Sequence, residues 1–180
     1  MNTNRPIVTG TFRDAESADR AYSTFRGRGY TDEDIHVVMS EETKKRYYDR
    51  DADSIKIEEG SKAMEGAGAG AAIGGTAGGV IGALFGVGGA VIIPGIGAIA
   101  GPLAGALAGA GAGGAAGSLV GALVGAGIPE EQAELYESDV RDGGIVMGVH
   151  PRNDEDHSYV RDRYTEYGAR NVYTSEPQTV

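Results

Sequence analysis

Residues Gly66–Pro129 read GAGAGAAIGGTAGGVIGALFGVGGAVIIPGIGAIAGPLAGALAGAGAGGAAGSLVGALVGAGIP, a stretch without a charged residue that holds 23 of the 31 glycines of the 180-residue chain. The glycines are ordered. Gly66, Gly70, Gly74, Gly78, Gly82 and Gly86 fall four apart, and after a gap so do Gly97, Gly101, Gly105, Gly109, Gly113, Gly117, Gly121 and Gly125. Four-residue spacing marks one face of an α-helix, and small residues at that spacing let two helix backbones approach closely in apolar surroundings. Between the runs stands Val91-Ile92-Ile93-Pro94-Gly95-Ile96-Gly97, with Pro102 a little later. Proline removes a donor and glycine admits left-handed backbone, so a reversal is expected here. The expectation is a helical hairpin with arms of roughly 26 residues, about 39 Å each, long enough to span a bilayer core of about 30 Å.

Glycine is about 1 kcal/mol worse than alanine in a helix, so these arms need close packing or lipid to form. A stripe at i+4 drifts about 40° per step on a helix of 3.6 residues per turn, so each arm offers its track to more than one neighbour. That favours association of several hairpins over a single pair. A structureless Gly/Ala linker accounts poorly for the regular register and the many aliphatics. The GxGxxG-like matches inside the tract lack the preceding strand and downstream acid of a nucleotide site.

Outside the insert lie all the charges, for a net charge of −10. An acidic surface argues against nucleic acid and against charge-driven docking on anionic lipid. The chain has no cysteine, hence no disulfide, thiol nucleophile or thiolate metal site. Met1-Asn2-Thr3-Asn4-Arg5 is not followed by an apolar run of the secretory kind, and the charged part is expected to be cytoplasmic.

The ends repeat one pattern. Pro6–Phe12 is a predicted strand, Asp14 caps a helix carrying Ala18, Ala21, Tyr22 and Phe25, and Ile35–Met39 is a second strand. Gly144–His150 is a strand, Asp154–Tyr167 a helix with Val160, Tyr164 and Tyr167 on one side, and Asn171–Thr174 a last strand. Two βαβ halves imply an α+β fold of the ferredoxin-like, split βαβ kind with the hairpin inserted between them. The parts are residues 1–62 (first half and a border helix), 63–128 (the hairpin) and 129–180 (second border helix and second half). Ser40 can cap the first border helix; Pro129 suits the start of the second, whose apolar side is Leu135, Tyr136 and Val140. Ile145, Met147 and Val149 face one way and Val146 with Gly148 the other, so the border helices or a second subunit are expected to cover the second face.

Candidates for chemistry are few. His36 and His150 are expected at the same end of an antiparallel pair, where they could join an acidic residue around a metal or simply sit as polar residues at a sheet margin. His157 is expected on a solvated helix face. Asp32-Glu33-Asp34 and Asp154-Glu155-Asp156 are acidic clusters. Asp49, Asp51 and Asp53 share the spacing of a calcium loop, but Ser54 stands where that loop needs glycine. The nine tyrosines fit packing positions.

Ile7-Val8-Thr9-Gly10-Thr11-Phe12, the glycine register, Gly127-Ile128-Pro129-Glu130-Glu131 and Gly143-Gly144-Ile145-Val146 resemble bacterial general-stress proteins, including those described as heat- or low-temperature-induced. The resemblance implies a stress-linked, non-enzymatic protein with no catalytic residue, cofactor or metal to carry over. The sequence-based expectation is therefore self-association through the fourteen helix-packing glycines named above, in or on membrane lipid and without nucleic acid. The alternatives are a soluble homo-oligomer with the hairpins in a central bundle, or a domain sensing a small ligand or metal.

Overall fold

The computed structural model describes residues 6–48, 81, 91–93, 97–101, 104 and 119–175. The chain runs β1 (Val8–Phe12), α1 (Ala15–Gly27), β2 (Ile35–Met39), α2 (Glu41–Tyr47), β3 (Val91–Ile93), β4 (Gly97–Ala100), α3 (Leu119–Gly125), α4 (Glu130–Arg141), β5 (Ile145–Val149), α5 (Asp154–Glu166) and β6 (Arg170–Thr174). The fold is α+β: one antiparallel sheet in the order β3-β4-β2-β5-β1-β6, with helices on both faces.

Caps set the helix starts. Asp14 accepts from the Ser17 amide at 2.7 Å, Ser40 from Thr43 at 3.1 Å and Asn153 from Asp156 at 2.8 Å, each satisfying a donor that the first turn leaves open. Alternation along the strands then divides the residues between two cores. Val8, Phe12, Ile35, Val37, Met39, Ile145, Met147 and Val149 pack with Ala18, Tyr22 and Phe25 of α1 and Val160 and Tyr164 of α5. Phe12 and Phe25 meet the Tyr164 ring edge-on at 5.4 and 5.7 Å, and the Tyr164 hydroxyl donates to the Met147 carbonyl at 2.9 Å.

On the opposite face Val38, Ile99 and Val146 are covered by Leu119 and Leu123 of α3, by Ile128, and by Ala133, Tyr136 and Val140 of α4. The expectation that the border segments close this face is met for α4, with one difference. The buried stripe follows Ala133, Tyr136 and Val140, which leaves Leu135 49% exposed rather than on the apolar side. The Tyr136 hydroxyl donates to the Asn171 carbonyl at 2.8 Å and so accepts from Thr9 Oγ1 at 2.7 Å. Burial pushes that hydroxyl up to about 12, and it remains a donor at neutral pH. Asn171, with φ +49° beside the irregular β1–β6 register, also reaches Asp139, which takes the Thr11 hydroxyl as well. Tyr136→Phe is expected to cost about 1–2 kcal/mol in urea unfolding, because the Thr9 hydroxyl loses its acceptor inside the core.

The insert differs from the expected hairpin at its centre. Val91–Ile93 and Gly97–Ala100 are paired strands, Ile93 opposite Gly97, and β4 continues the sheet along β2 with Met39 opposite Ala98 and Val37 opposite Ala100. Gly97 and Gly101 therefore do not begin a helical arm; their φ values are +123° and +86°. A Cβ on either would lie under 3.0 Å from a β2 carbonyl oxygen, Met39's for Gly97 and Ile35's for Gly101. The physical reason for the difference is that a spacing of four is a multiple of the strand period as well as one helical turn. Further insert residues join the cores. Ile81 is fully buried, its amide donating to Asp19 Oδ1 at 3.2 Å, and Ala104 and Leu119 are buried too. Gly121 and Gly125 lie on α3 as expected, whereas Gly66, Gly70, Gly74, Gly78, Gly82, Gly86, Gly105, Gly109, Gly113 and Gly117 lie outside the described residues. Among the described residues no helix is long and apolar enough to cross a membrane.

Candidate functional site

Three strands bring Thr9, Gly148 and His36 into one row on the face covered by α3 and α4, since Gly148 pairs with Thr9 of β1 on one side and His36 of β2 on the other. The lack of a side chain at Gly148 makes the row possible. A Cβ there would meet Ile7 Cδ1 at 3.0 Å, Thr9 Cγ2 at 3.1 Å and His36 Cδ2 at 3.5 Å. Beside the row is a small pocket lined by Ile7, Thr9, His36, Val38, Val146 and Gly148 from below and Leu123, Ala126 and Ile128 from above. The space open to a water-sized sphere is ≈ 20 Å³, about one water's worth.

His150 follows β5 and lies diagonally across from His36, as strand alternation anticipates. Its amide donates to the Asp34 carbonyl at 2.9 Å, its Nδ1 is 3.0 Å from the Pro6 carbonyl oxygen, and its Nε2 is 2.8 Å from Nε2 of His36. The rings meet at 74°. A carbonyl only accepts, so His150 Nδ1 carries the proton; its Nε2 is then the acceptor and His36 Nε2 the donor. Two imidazoles on one tetrahedral zinc ion would hold their nitrogens about 3.3 Å apart, so 2.8 Å is a hydrogen bond and not shared ligation. Among the described residues no three His, Asp or Glu side chains are grouped to hold a metal.

The acidic clusters resolve into structural roles where they are described. Asp32 accepts from the Tyr22 hydroxyl at 2.7 Å and pairs with Arg26, while Asp34 accepts from the Thr31 amide and hydroxyl. Asp49, Asp51 and Asp53 lie outside the described residues, and His157 is half-buried on α5. Asp156, which the sequence shows only as one of the acidic cluster Asp154-Glu155-Asp156, is the buried centre of an ion-pair cluster. Its side chain is 5% exposed, with Arg28 Nη2 at 2.9 Å on Oδ1 and Arg152 Nε at 2.9 Å on Oδ2. Arg152 also donates to the Arg28 carbonyl, and the two guanidinium groups lie over the rings of Tyr159 and Tyr30 at 4.0 and 4.4 Å. Burial favours the neutral carboxyl, but the hydrogen bonds from Arg28 and Arg152 outweigh it and hold Asp156 below the usual carboxylate value. The cluster joins the end of α1 to the start of α5. In the sequence it shows only as the acidic run Asp154-Glu155-Asp156, with no sign of its arginine partners.

Comparison of the chain with protein-family models, with curated proteins and with solved structures gives no match in any of the three.

Proposed function

We propose that the chain is a non-enzymatic, stress-associated structural protein: a ferredoxin-like split βαβ body whose glycine-rich insert drives self-association, with membrane lipid as its setting. The order β6-β1-β5-β2 with α1 and α5 on one face supports the split βαβ description. The resemblance to general-stress proteins supports the stress link. One observation carries the self-association. On α3 the side chains of Leu119, Ala122 and Leu123 are buried on the sheet, whereas Gly125 of the glycine register is exposed. Val124 is 43% exposed, and nothing lies within 4 Å of where a Gly125 Cβ would be. The polar clusters described above are bonded within themselves and tie one element to another, which suits a scaffold.

The test is the size of the assembly. Gly109→Leu with Gly113→Leu, and separately Gly125→Leu, should convert a multimer into monomer by sedimentation in buffer and in mild detergent. An unchanged multimer in both media would overturn the reading. Carbonate extraction of membranes separates the lipid setting from the soluble bundle, since full release as a defined multimer supports the bundle.

A further inference from the structure

We propose that β6 is a self-pairing edge: two copies of the chain join their β6 strands antiparallel about Tyr173, a second contact beside the glycine-rich insert. β6 ends the sheet, with β1 on one side and, among the described residues, no strand on the other. Which of its main-chain groups are free follows from the ladder. The Ser175 amide donates to the Ile7 carbonyl at 2.9 Å and the register sets Tyr173 opposite Thr9, so Ser175 and Tyr173 turn their amides to β1. In a trans peptide the carbonyl points the opposite way from the amide, so the Val172 and Thr174 carbonyls face outward. The Thr174 amide faces outward too, by the alternation of an antiparallel ladder. Against a second copy running antiparallel, each Thr174 amide reaches the other chain's Val172 carbonyl, and the two Tyr173 residues stand opposite each other at the centre.

Charge selects the occupant and its direction. Arg170 is exposed and has no ion-pair partner among the described residues, and in the sequence Glu176 stands as far beyond Tyr173 as Arg170 stands before it. Antiparallel copies bring unlike ends of this segment together, whereas parallel copies bring like ends together. The extent is limited by Asn171. Its φ is +49°, and its carbonyl already accepts from Gln132 Nε2 at 2.9 Å and from the Tyr136 hydroxyl at 2.8 Å, so the pairing stops short of it. Each β6 edge is used once, and the contact closes as a two-fold pair instead of running on into a stack. So short a contact lies below the area that holds dilute proteins together. It acts between chains brought near one another, and in that sense it builds on the self-association proposed above.

The chain has no cysteine, so a single introduced thiol reports the contact. At the centre of such a pair, where neither residue bonds the other, the Cα atoms lie about 4.5 Å apart, within reach of a disulfide. Oxidation of the full chain carrying Tyr173→Cys is expected to give the linked dimer about tenfold faster than Ser158→Cys, a substitution at an exposed position of α5. Adding Thr174→Pro removes the outward amide and leaves the bonds to β1 in place, and it should lower the rate to that of Ser158→Cys. Adding Arg170→Glu instead should slow the linkage, and Arg170→Glu with Glu176→Arg should restore it, a recovery that a folding defect does not produce. Equal rates for the two thiols, no effect of Thr174→Pro, or no recovery on exchanging the charges would each overturn the proposal. Sedimentation before oxidation reports the insert separately. A multimer with slow linkage refutes the edge alone. A monomer refutes the insert reading; at ~1 mM, fast linkage in that monomer sustains the edge and slow linkage refutes it as well.

Discussion

Replacing Gly101 by alanine is expected to lower the stability of the folded chain by about 3 kcal/mol, and Gly97→Ala by a similar amount. The sign makes the experiment decisive. On a helical arm, where the four-residue register places both glycines, alanine would stabilise by about 1 kcal/mol. In the structure both residues have left-handed backbone, and an added Cβ would press on the carbonyl oxygens of Ile35 and Met39. Those atoms are backbone of β2, which pairs with β4 on one side and β5 on the other, so neither can retreat without breaking a ladder. The midpoint of urea unfolding, with the m-value unchanged, measures the effect. A stabilised Gly101→Ala would return residues 97–101 to the helix.

Asp156→Ala is expected to cost about 2–3 kcal/mol at pH 7. The variant leaves Arg28 and Arg152 facing each other without the carboxylate that joins them, and detaches the end of α1 from the first turn of α5. The two arginine side chains are 33% and 42% exposed, so water takes up part of the loss and the cost stays at the low end for a broken buried pair. The pH dependence follows from the depressed folded value. The contribution of Asp156 is present above the ordinary carboxyl value of 3.8 and disappears as pH falls through the lower folded value. The gap between native and variant stability should therefore be full at pH 5 and narrow below pH 4. A gap that persists undiminished at pH 2 would show that packing, not charge, is lost.

Much of the body was legible because its determinants are local. Asp14 and Ser40 stand where helix caps must stand and both accept a first-turn amide, and Ala18, Ala21, Tyr22 and Phe25 repeat at helical spacing and are buried as that spacing requires. The meeting of His36 and His150 followed from alternation along two antiparallel strands. What the chain did not reveal locally was of two kinds. Gly97 and Gly101 satisfy the helical and the strand period at once, and only the open edge of β2 decides between them. Asp156 and Arg28 are 128 residues apart, and an ion pair at that separation leaves no pattern to find. Tyr136 is an intermediate case: its ring belongs to the expected stripe, while the role of its hydroxyl depends on Thr9 and Asn171 from other strands.

The pairing of β4 with β2 has a consequence for how this architecture can be altered. The glycine-rich region is not a removable cassette. Excising residues 63–128 would uncover the main-chain groups of β2 along Val37, Val38 and Met39, remove Ile99 from beside Val38, and strip Leu119 and Leu123 from above Val38 and Val146. A bare β-branched edge beside an uncapped apolar surface is a template for intermolecular stacking. The truncated chain is thus expected to be insoluble, because β4 and α3 of the glycine-rich segment close the sheet of their acidic host.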